Sequence, residues 1–248
     1  MPGTTTWESQ TAVVAGGTGG LGAGVAEALA SRKMRVLTLS RNPQVPGAAV
    51  REGIQHIVGD TTNEVTAARV FDEIRPDLAV LCVGVHPLLR PLHLQTWETF
   101  SQAWEVDAKS TFVWLRNALM LPMKPGSHLI VISSAAAIQG SPLSGGYASA
   151  KRAQWFIAKY AALEAERMKL GLHIHCLLPM LTPSGLGKAA MAAYAARAGV
   201  SLDEFAKRFD PPVTPELLGQ AVVDLHEDPA KWNQVAYKLD GHGLTAAP

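Results

Sequence analysis

A chain of 248 residues that is 48% hydrophobic and 17% charged can build a substantial core, which excludes extensive disorder and fits one large α/β domain or two small ones. A formal net charge of +1 without any basic run excludes a global field that would recruit nucleic acid or an anionic membrane. The opening MPGTTTWESQ lacks a charged region followed by an apolar run, and no stretch reaches about 18 uninterrupted apolar residues, so a soluble, cytoplasmic protein is expected.

Strand-like and helix-like segments alternate, which predicts one doubly wound α/β domain with a parallel sheet and helices on both faces. Thr11 to Ala15 is the first strand, and the run Gly16-Gly17-Thr18-Gly19-Gly20-Leu21-Gly22 leads into a helix from Leu21 to Lys33. A second strand spans Arg35 to Ser40, and a third, Gln55 to Val58, ends at Gly59-Asp60. Asn63 reads as the N-cap of a helix to Ile74, which Pro76 closes off. Leu78 to Val83 is apolar throughout, as in a central strand buried on both faces. Thr96 caps a long helical pattern towards Met120. Ile130 to Ile132 is a further strand, followed by a helix from about Gly146 to Leu170 and a strand from His173 to Leu178. Pro179 to Pro212 breaks the rhythm with an alanine-rich centre, an insertion with its own helix that makes a substrate lid over about 180–212. Pro215 starts the next helix, and Val235 to Leu239 is the last strand. Cys82 and Cys176 fall in apolar runs without metal-type spacing and read as buried free thiols; no metal site is expected.

The glycine run lies between a strand and a helix. Glycines there permit a tight turn and let backbone amides approach a pyrophosphate at the helix's positive end, which predicts dinucleotide binding. A dinucleotide lacking the 2′-phosphate is usually held by an acid about 20 residues on. Ser40-Arg41 stands at that place, where a small hydroxyl leaves room and a guanidinium can pair with a phosphate, so NADP(H) is favoured over NAD(H). Further on, Ser133-Ser134 sits where a strand runs out, and Tyr147 and Lys151 share one helix face at i and i+4. A cation beside a phenol favours its ionised form and makes proton transfer accessible.

On these residues the chain resembles the short-chain dehydrogenase/reductase family, from the first strand to the last. The family's glycine pattern matches Gly16, Gly20 and Gly22, and its adenine-contacting acid matches Asp60, next to Thr61. Its serine, tyrosine and lysine match Ser134, Tyr147 and Lys151. The resemblance implies a Rossmann-like fold, with Gly16, Thr18, Gly19, Gly20, Leu21, Gly22, Ser40, Arg41, Asp60, Thr61, Gly84, Pro179, Thr182 and Ser184 around the cofactor. The family's serine lies thirteen residues before its tyrosine, which selects Ser134 over Ser133. Tyr147 would then exchange a proton with the substrate oxygen and Ser134 would position that oxygen. Lys151 would tune the tyrosine and bind the nicotinamide ribose, while the nicotinamide carries the hydride.

The chain also departs from the family. Its Asn-Asn-Ala-Gly run reads Leu81-Cys82-Val83-Gly84 here, and the helix asparagine that completes its catalytic set falls on Asp107, either a charged partner of Lys151 or a plain solvated residue. Pro-Gly becomes Pro179-Met180, which narrows the substrate space or redirects the loop, and either Ser184 or Thr182 stands for the nicotinamide-contacting threonine. Candidate pocket residues are Ala136, Ile138, Leu143, Met180, Leu186, Met191 and Tyr194, nearly all apolar. Met191 and Tyr194 serve as well to pack a lid helix. His86 and His93 either reach the cleft mouth or are simply exposed. The expectation is an NADPH-dependent reductase of an uncharged, largely apolar ketone or aldehyde, reversible with the alcohol. A non-catalytic NADP(H)-binding sensor is the alternative. Relatives pair through the two long helices, so a homodimer or homotetramer is expected, with Trp114, Trp155 and Phe156 serving that face or the core. Asp240-Gly241-His242 stands where the family has Asp-Gly-Gly, and the tail lies near the pocket or an interface.

Overall fold

A computed structural model describes residues 7–43, 53–183 and 186–248. The strands are β1 (Thr11–Ala15), β2 (Arg35–Ser40), β3 (Ile54–Val58), β4 (Leu78–Leu81), β5 (His128–Ile132), β6 (His173–Pro179), β7 (Ala236–Asp240) and β8 (Gly243–Ala246). They form one sheet in the order β3-β2-β1-β4-β5-β6-β7-β8, parallel except for the last pair. The helices are α1 (Gly20–Ser31), α2 (Glu64–Arg69), α3 (Trp97–Ala103), α4 (Lys109–Met120), α5 (Ala136–Gln139), α6 (Gly145–Arg167), α7 (Leu186–Ala198), α8 (Leu202–Ala206) and α9 (Pro215–Glu227).

The apolar strands divide their side chains between two cores, which is why they carry no polar alternation. In β1, Ala12 and Val14 point to the side covered by Val25 and Leu29 of α1 and Leu218 and Val222 of α9. Val13 and Ala15 point to the opposite side, with Trp114 of α4 and Ala158 of α6. The same division repeats in β4, where Leu78 and Val80 take one face and Ala79 and Leu81 the other.

Four differences from the sequence reading have local causes. The strand begun at Leu78 ends at Leu81 rather than Val83. Cys82 N–H still donates to Ala15 O at 2.8 Å, but beyond it the chain leaves the sheet. The tail forms β8, an antiparallel edge strand on β7, with Leu239 opposite Leu244. The pattern from Thr96 to Met120 is not one helix, because Trp104–Ala108 is a π-helical segment between α3 and α4. Such segments shift the helix face and leave carbonyls free. Here the Asp107 carbonyl accepts from Gln154 Nε2 at 3.1 Å and from the Thr111 hydroxyl at 3.0 Å. The helix ending at Ile74 likewise finishes in a π-helical segment, Val70–Ile74.

At the N-terminal edge of the sheet, His128 opens β5, His173 and His175 lie in β6, and His226 ends α9. The His128 ring stacks on His173 with centroids 4.6 Å apart, meets His226 edge-on at 4.6 Å and lies 6.0 Å from His175. Burial depresses all four, His128 to about 2 and His175 and His226 each to about 4. They are therefore held neutral inside the protein.

Candidate functional site

The sheet order reverses between β1 and β4, and a crevice opens at such a switch point beyond the strands' carboxyl ends. A cleft of about 690 Å3 lies there. Gly19 to Gly22 line it after β1, Cys82 to Gly84 after β4, Ser133 and Ser134 after β5, and Pro179 to Thr182 after β6.

Two kinds of glycine serve the first turn. Gly16 has φ +78°, and a Cβ there would stand 2.4 Å from the Cys82 carbonyl oxygen. A Cβ on Gly22 would stand 2.2 Å from Gly16 O. These two let β1, β4 and α1 close together. Around Gly19 and Gly20, in contrast, a Cβ would meet nothing within 4 Å. Packing does not require those glycines, but bare backbone at the start of a 12-residue helix leaves room for an anionic group to reach the amides. This fits a pyrophosphate.

At the end of β2, the Ser40 hydroxyl donates to Asn42 O at 3.2 Å, and Arg41 is exposed. Asp60 follows β3, and its carboxyl is held below its ordinary value chiefly by the Thr62 N–H, with Arg41 and Lys109 adding attraction. Thr61 is buried, its hydroxyl 2.7 Å from that of Ser110 and its carbonyl accepting from Trp114 Nε1 at 3.2 Å. Thr18, Ser40, Arg41, Asp60 and Thr61 do not line the cleft itself, whereas Leu21, Gly84, Pro179 and Thr182 do. Ser184 lies outside the described residues, as does the side chain of Leu186.

The two adjacent serines have different surroundings. Ser133 is buried and its hydroxyl donates to the Lys151 carbonyl at 2.8 Å, tying β5 to α6. Ser134 is half-buried at the cleft, where its Oγ accepts from Ala136 N–H at 3.2 Å. Tyr147 and Lys151 face the same cleft from the first turns of α6, with the Lys151 Nζ 5.3 Å from the Tyr147 ring centroid.

Lys151 is 3% exposed, and Asp107 is fully buried with Oδ2 3.0 Å from the Lys151 Nζ. Burial alone would push the ammonium towards neutrality. The Asp107 carboxylate, with Tyr147 and Cys82 adding to it, outweighs that, and the net direction is upward. Asp107 Oδ1 accepts from Val85 N–H at 3.1 Å, which fixes the chain beyond β4. The solvated reading of Asp107 is thus overturned, because the π-helical segment turns it inward. Periodicity predicted a regular helix and could not place it.

Of the expected pocket residues, Ala136, Met180 and Tyr194 line the cleft, and so does exposed His86. Ile138 is 36% exposed, Leu143 is buried in its loop, and Met191 packs on Ala195 and Phe205; none of these lines the cleft, nor does exposed His93. Cys176 is buried, but Cys82 is only half-buried and lines the cleft, a correction to the paired reading. Leu89 and Ser141 from loops, Gln139 at the end of α5, Phe205 in α8 and Phe209 just after it also line it, from segments too short to carry a periodic signal. The Tyr194 hydroxyl meets the Ser141 hydroxyl and accepts from Leu143 N–H at 3.2 Å, joining α7 to the loop before α6. Among the described residues no helix is long and apolar enough to cross a membrane, and no group of His, Cys, Asp and Glu could hold a metal ion.

A family model described as enoyl-(acyl carrier protein) reductase matches residues 15–233. The chain is 26% identical over 189 residues to L-fucose dehydrogenase of Oryctolagus cuniculus, across 73% of this chain and 66% of that protein. It is 28% identical over 188 residues to short chain dehydrogenase/reductase AacuD of Aspergillus aculeatus, across 71% and 65%. The matched stretch thus spans just under two thirds of those relatives' own lengths. Among solved structures, levodione reductase superposes with a TM-score of 0.79 at 20% identity, covering 94% of this chain and 96% of that one. A short-chain type dehydrogenase/reductase from Mycobacterium ulcerans gives 0.79 at 24% identity, covering 96% and 92%.

Proposed function

The chain belongs to the short-chain dehydrogenase/reductase family of oxidoreductases, and from that membership we propose that it is an NADP(H)-dependent carbonyl reductase acting on an uncharged ketone or aldehyde. The observation that carries this is the convergence of Ser134, Tyr147 and Lys151 on one cleft at the β1/β4 switch point. When bound in this cleft, a nicotinamide would supply the hydride that a carbonyl carbon takes up. Ser134 donates a hydrogen bond to the carbonyl oxygen and holds it towards Tyr147. The Tyr147 hydroxyl gives its proton to that oxygen as negative charge develops, so the product leaves as an alcohol. Lys151, kept cationic by Asp107, stabilises the phenolate left behind, and with one N–H towards Asp107 and one towards the Ile132 carbonyl it has a third to offer the nicotinamide ribose. Solvent returns the proton.

Gly19 and Gly20 would face the pyrophosphate, and Gly16 and Gly22 shape their turn. Leu21, Gly84, Pro179 and Thr182, which line the cleft, would complete the cofactor's surroundings, with Thr18, Asp60 and Thr61 beyond that lining. Exposed Arg41, beside Ser40, supports selection of a 2′-phosphate. Met180, Leu181, Phe205 and Phe209 make a largely apolar wall, supporting a substrate without charge near the reacting carbon. All four residues belong to the 180–212 insertion, so this wall is the inner face of the substrate lid. Phe112 and Met120 on α4 and Phe156, Tyr160 and Leu163 on α6 are exposed, which supports self-association through these helices. Trp114, in contrast, is fully buried in the core.

The test is to supply NADPH or NADH with a panel of ketones and aldehydes and follow loss of reduced-nicotinamide absorbance. Turnover with NADPH preferred is expected. Tight NADPH binding without turnover of any carbonyl contradicts the enzyme reading and leaves the sensor.

A further inference from the structure

We propose that Asp107 is a positioning residue that sets the charge of the centre, keeping the Tyr147 hydroxyl protonated at rest and so ready to donate. This rests on the reading of Tyr147 as proton donor. Nothing in the packing requires a carboxylate here. A fully buried acid is uncommon and persists only when paired, and Asp107 is paired with a lysine that is itself buried. Its backbone is fixed by Gln154 and Thr111, and its Oδ1 by Val85 N–H, so the carboxylate cannot turn away from Lys151.

The other ionisable groups facing the pair do not alter its charge. Cys82 comes from the end of β4 and Cys176 from β6. Burial pushes both thiols up, Cys176 to about 12, so both stay neutral. His86 lies on the exposed rim of the cleft. The charge count therefore involves only Asp107, Lys151 and Tyr147.

With the phenol protonated, the trio carries no net charge; with the phenolate, it carries one net negative charge beside the buried Asp107–Lys151 pair. An amide at 107 inverts this. The trio is then positive with the phenol and neutral with the phenolate. Burial penalises uncompensated charge, so the carboxylate favours the protonated tyrosine and the amide favours losing that proton. A merely structural Asp107 would affect folding without moving this titration.

Tyrosinate formation, followed by ultraviolet difference absorbance as pH is raised, reads the effect without needing turnover. In Asp107→Asn, one tyrosinate should form about one pH unit lower than in the native protein. The early step should vanish when Tyr147→Phe is added, and Asp107→Glu should titrate like the native protein. Asp107→Ser makes the same charge change with a smaller side chain should the asparagine variant fail to fold. Lys151→Met, which changes the charge in the opposite sense, should delay the step. Coincident curves for the native protein and the neutral variants, or an early step that survives Tyr147→Phe, overturn the proposal. In the same proteins, the rise of alcohol oxidation with pH should move down with the tyrosinate step. Absence of turnover in the native protein refutes the assigned reaction and leaves this titration readable.

Discussion

Mild acid should unfold this protein through the histidines at the N-terminal edge of its sheet. His128, His175 and His226 have an ordinary value of 6.5 but are depressed to about 2, 4 and 4, chiefly by burial. His128 and His175 are also lowered by their histidine neighbours, and His226 is partly supported by Asp77. Because the folded values lie below the unfolded one, the unfolded chain takes up protons first as pH falls. Stability is fully present above 6.5 and drains away towards 4. One proton bound only by the unfolded state costs about 1.4 kcal/mol per pH unit, so each ring withdraws about 2 kcal/mol by about pH 5. Three such rings rival the lower end of the usual ~5–15 kcal/mol of total stability. The rings cannot escape this by protonating in place. The Nδ1 atoms of His128 and His226 and the Nε2 of His175 are buried without a hydrogen-bond partner. The assay is denaturant unfolding across the window from pH 7.5 down to about pH 5. His128→Phe keeps a ring to stack on His173 and removes one proton site, so its stability should fall by about 2 kcal/mol less than the native protein's over that window. Parallel curves for the two proteins would refute the argument.

Gly16→Ala should destabilise the fold by at least about 3 kcal/mol, since the added methyl meets the Cys82 carbonyl at a positive φ; a thermal shift worth under about 1 kcal/mol contradicts this. Arg41→Ala should raise KM for NADPH by tenfold or more, about 1.4 kcal/mol, and leave NADH unaffected; equal effects on both cofactors would remove the 2′-phosphate assignment. Tyr194→Phe should free the Leu143 amide and leave the Ser141 hydroxyl bonded to Ser144 alone, at a local cost of about 1–3 kcal/mol. Faster hydrogen exchange at Leu143 is the readout, and unchanged protection counts against the contact.

The fold was legible because its signals are local and repeated. Continuous apolar strands alternating with amphipathic helices imply a doubly covered parallel sheet, and the β1 turn needs glycine at Gly16 and Gly22 for steric reasons. Tyr147 and Lys151 could be placed on one helix face from spacing alone. What sequence could not supply depended on breaks in that regularity. The π-helical segment that turns Asp107 into the protein has no periodic signature, and the lining by Leu89, Gln139, Phe205 and Phe209 depends on how a loop and short helical turns fold back over the cleft. The histidine cluster unites residues from β5, β6 and α9 that are nearly 100 positions apart at the extremes, so only the assembled sheet brings them together.

The central claim is that Tyr147 is the proton donor of a nicotinamide-dependent carbonyl reduction. Steady-state turnover of Tyr147→Phe beside the native protein, with NADPH affinity measured on the same samples, addresses it most directly. The account predicts that turnover falls by roughly 10² to 10⁴-fold while NADPH binding is preserved. Native-like turnover in that variant would contradict it.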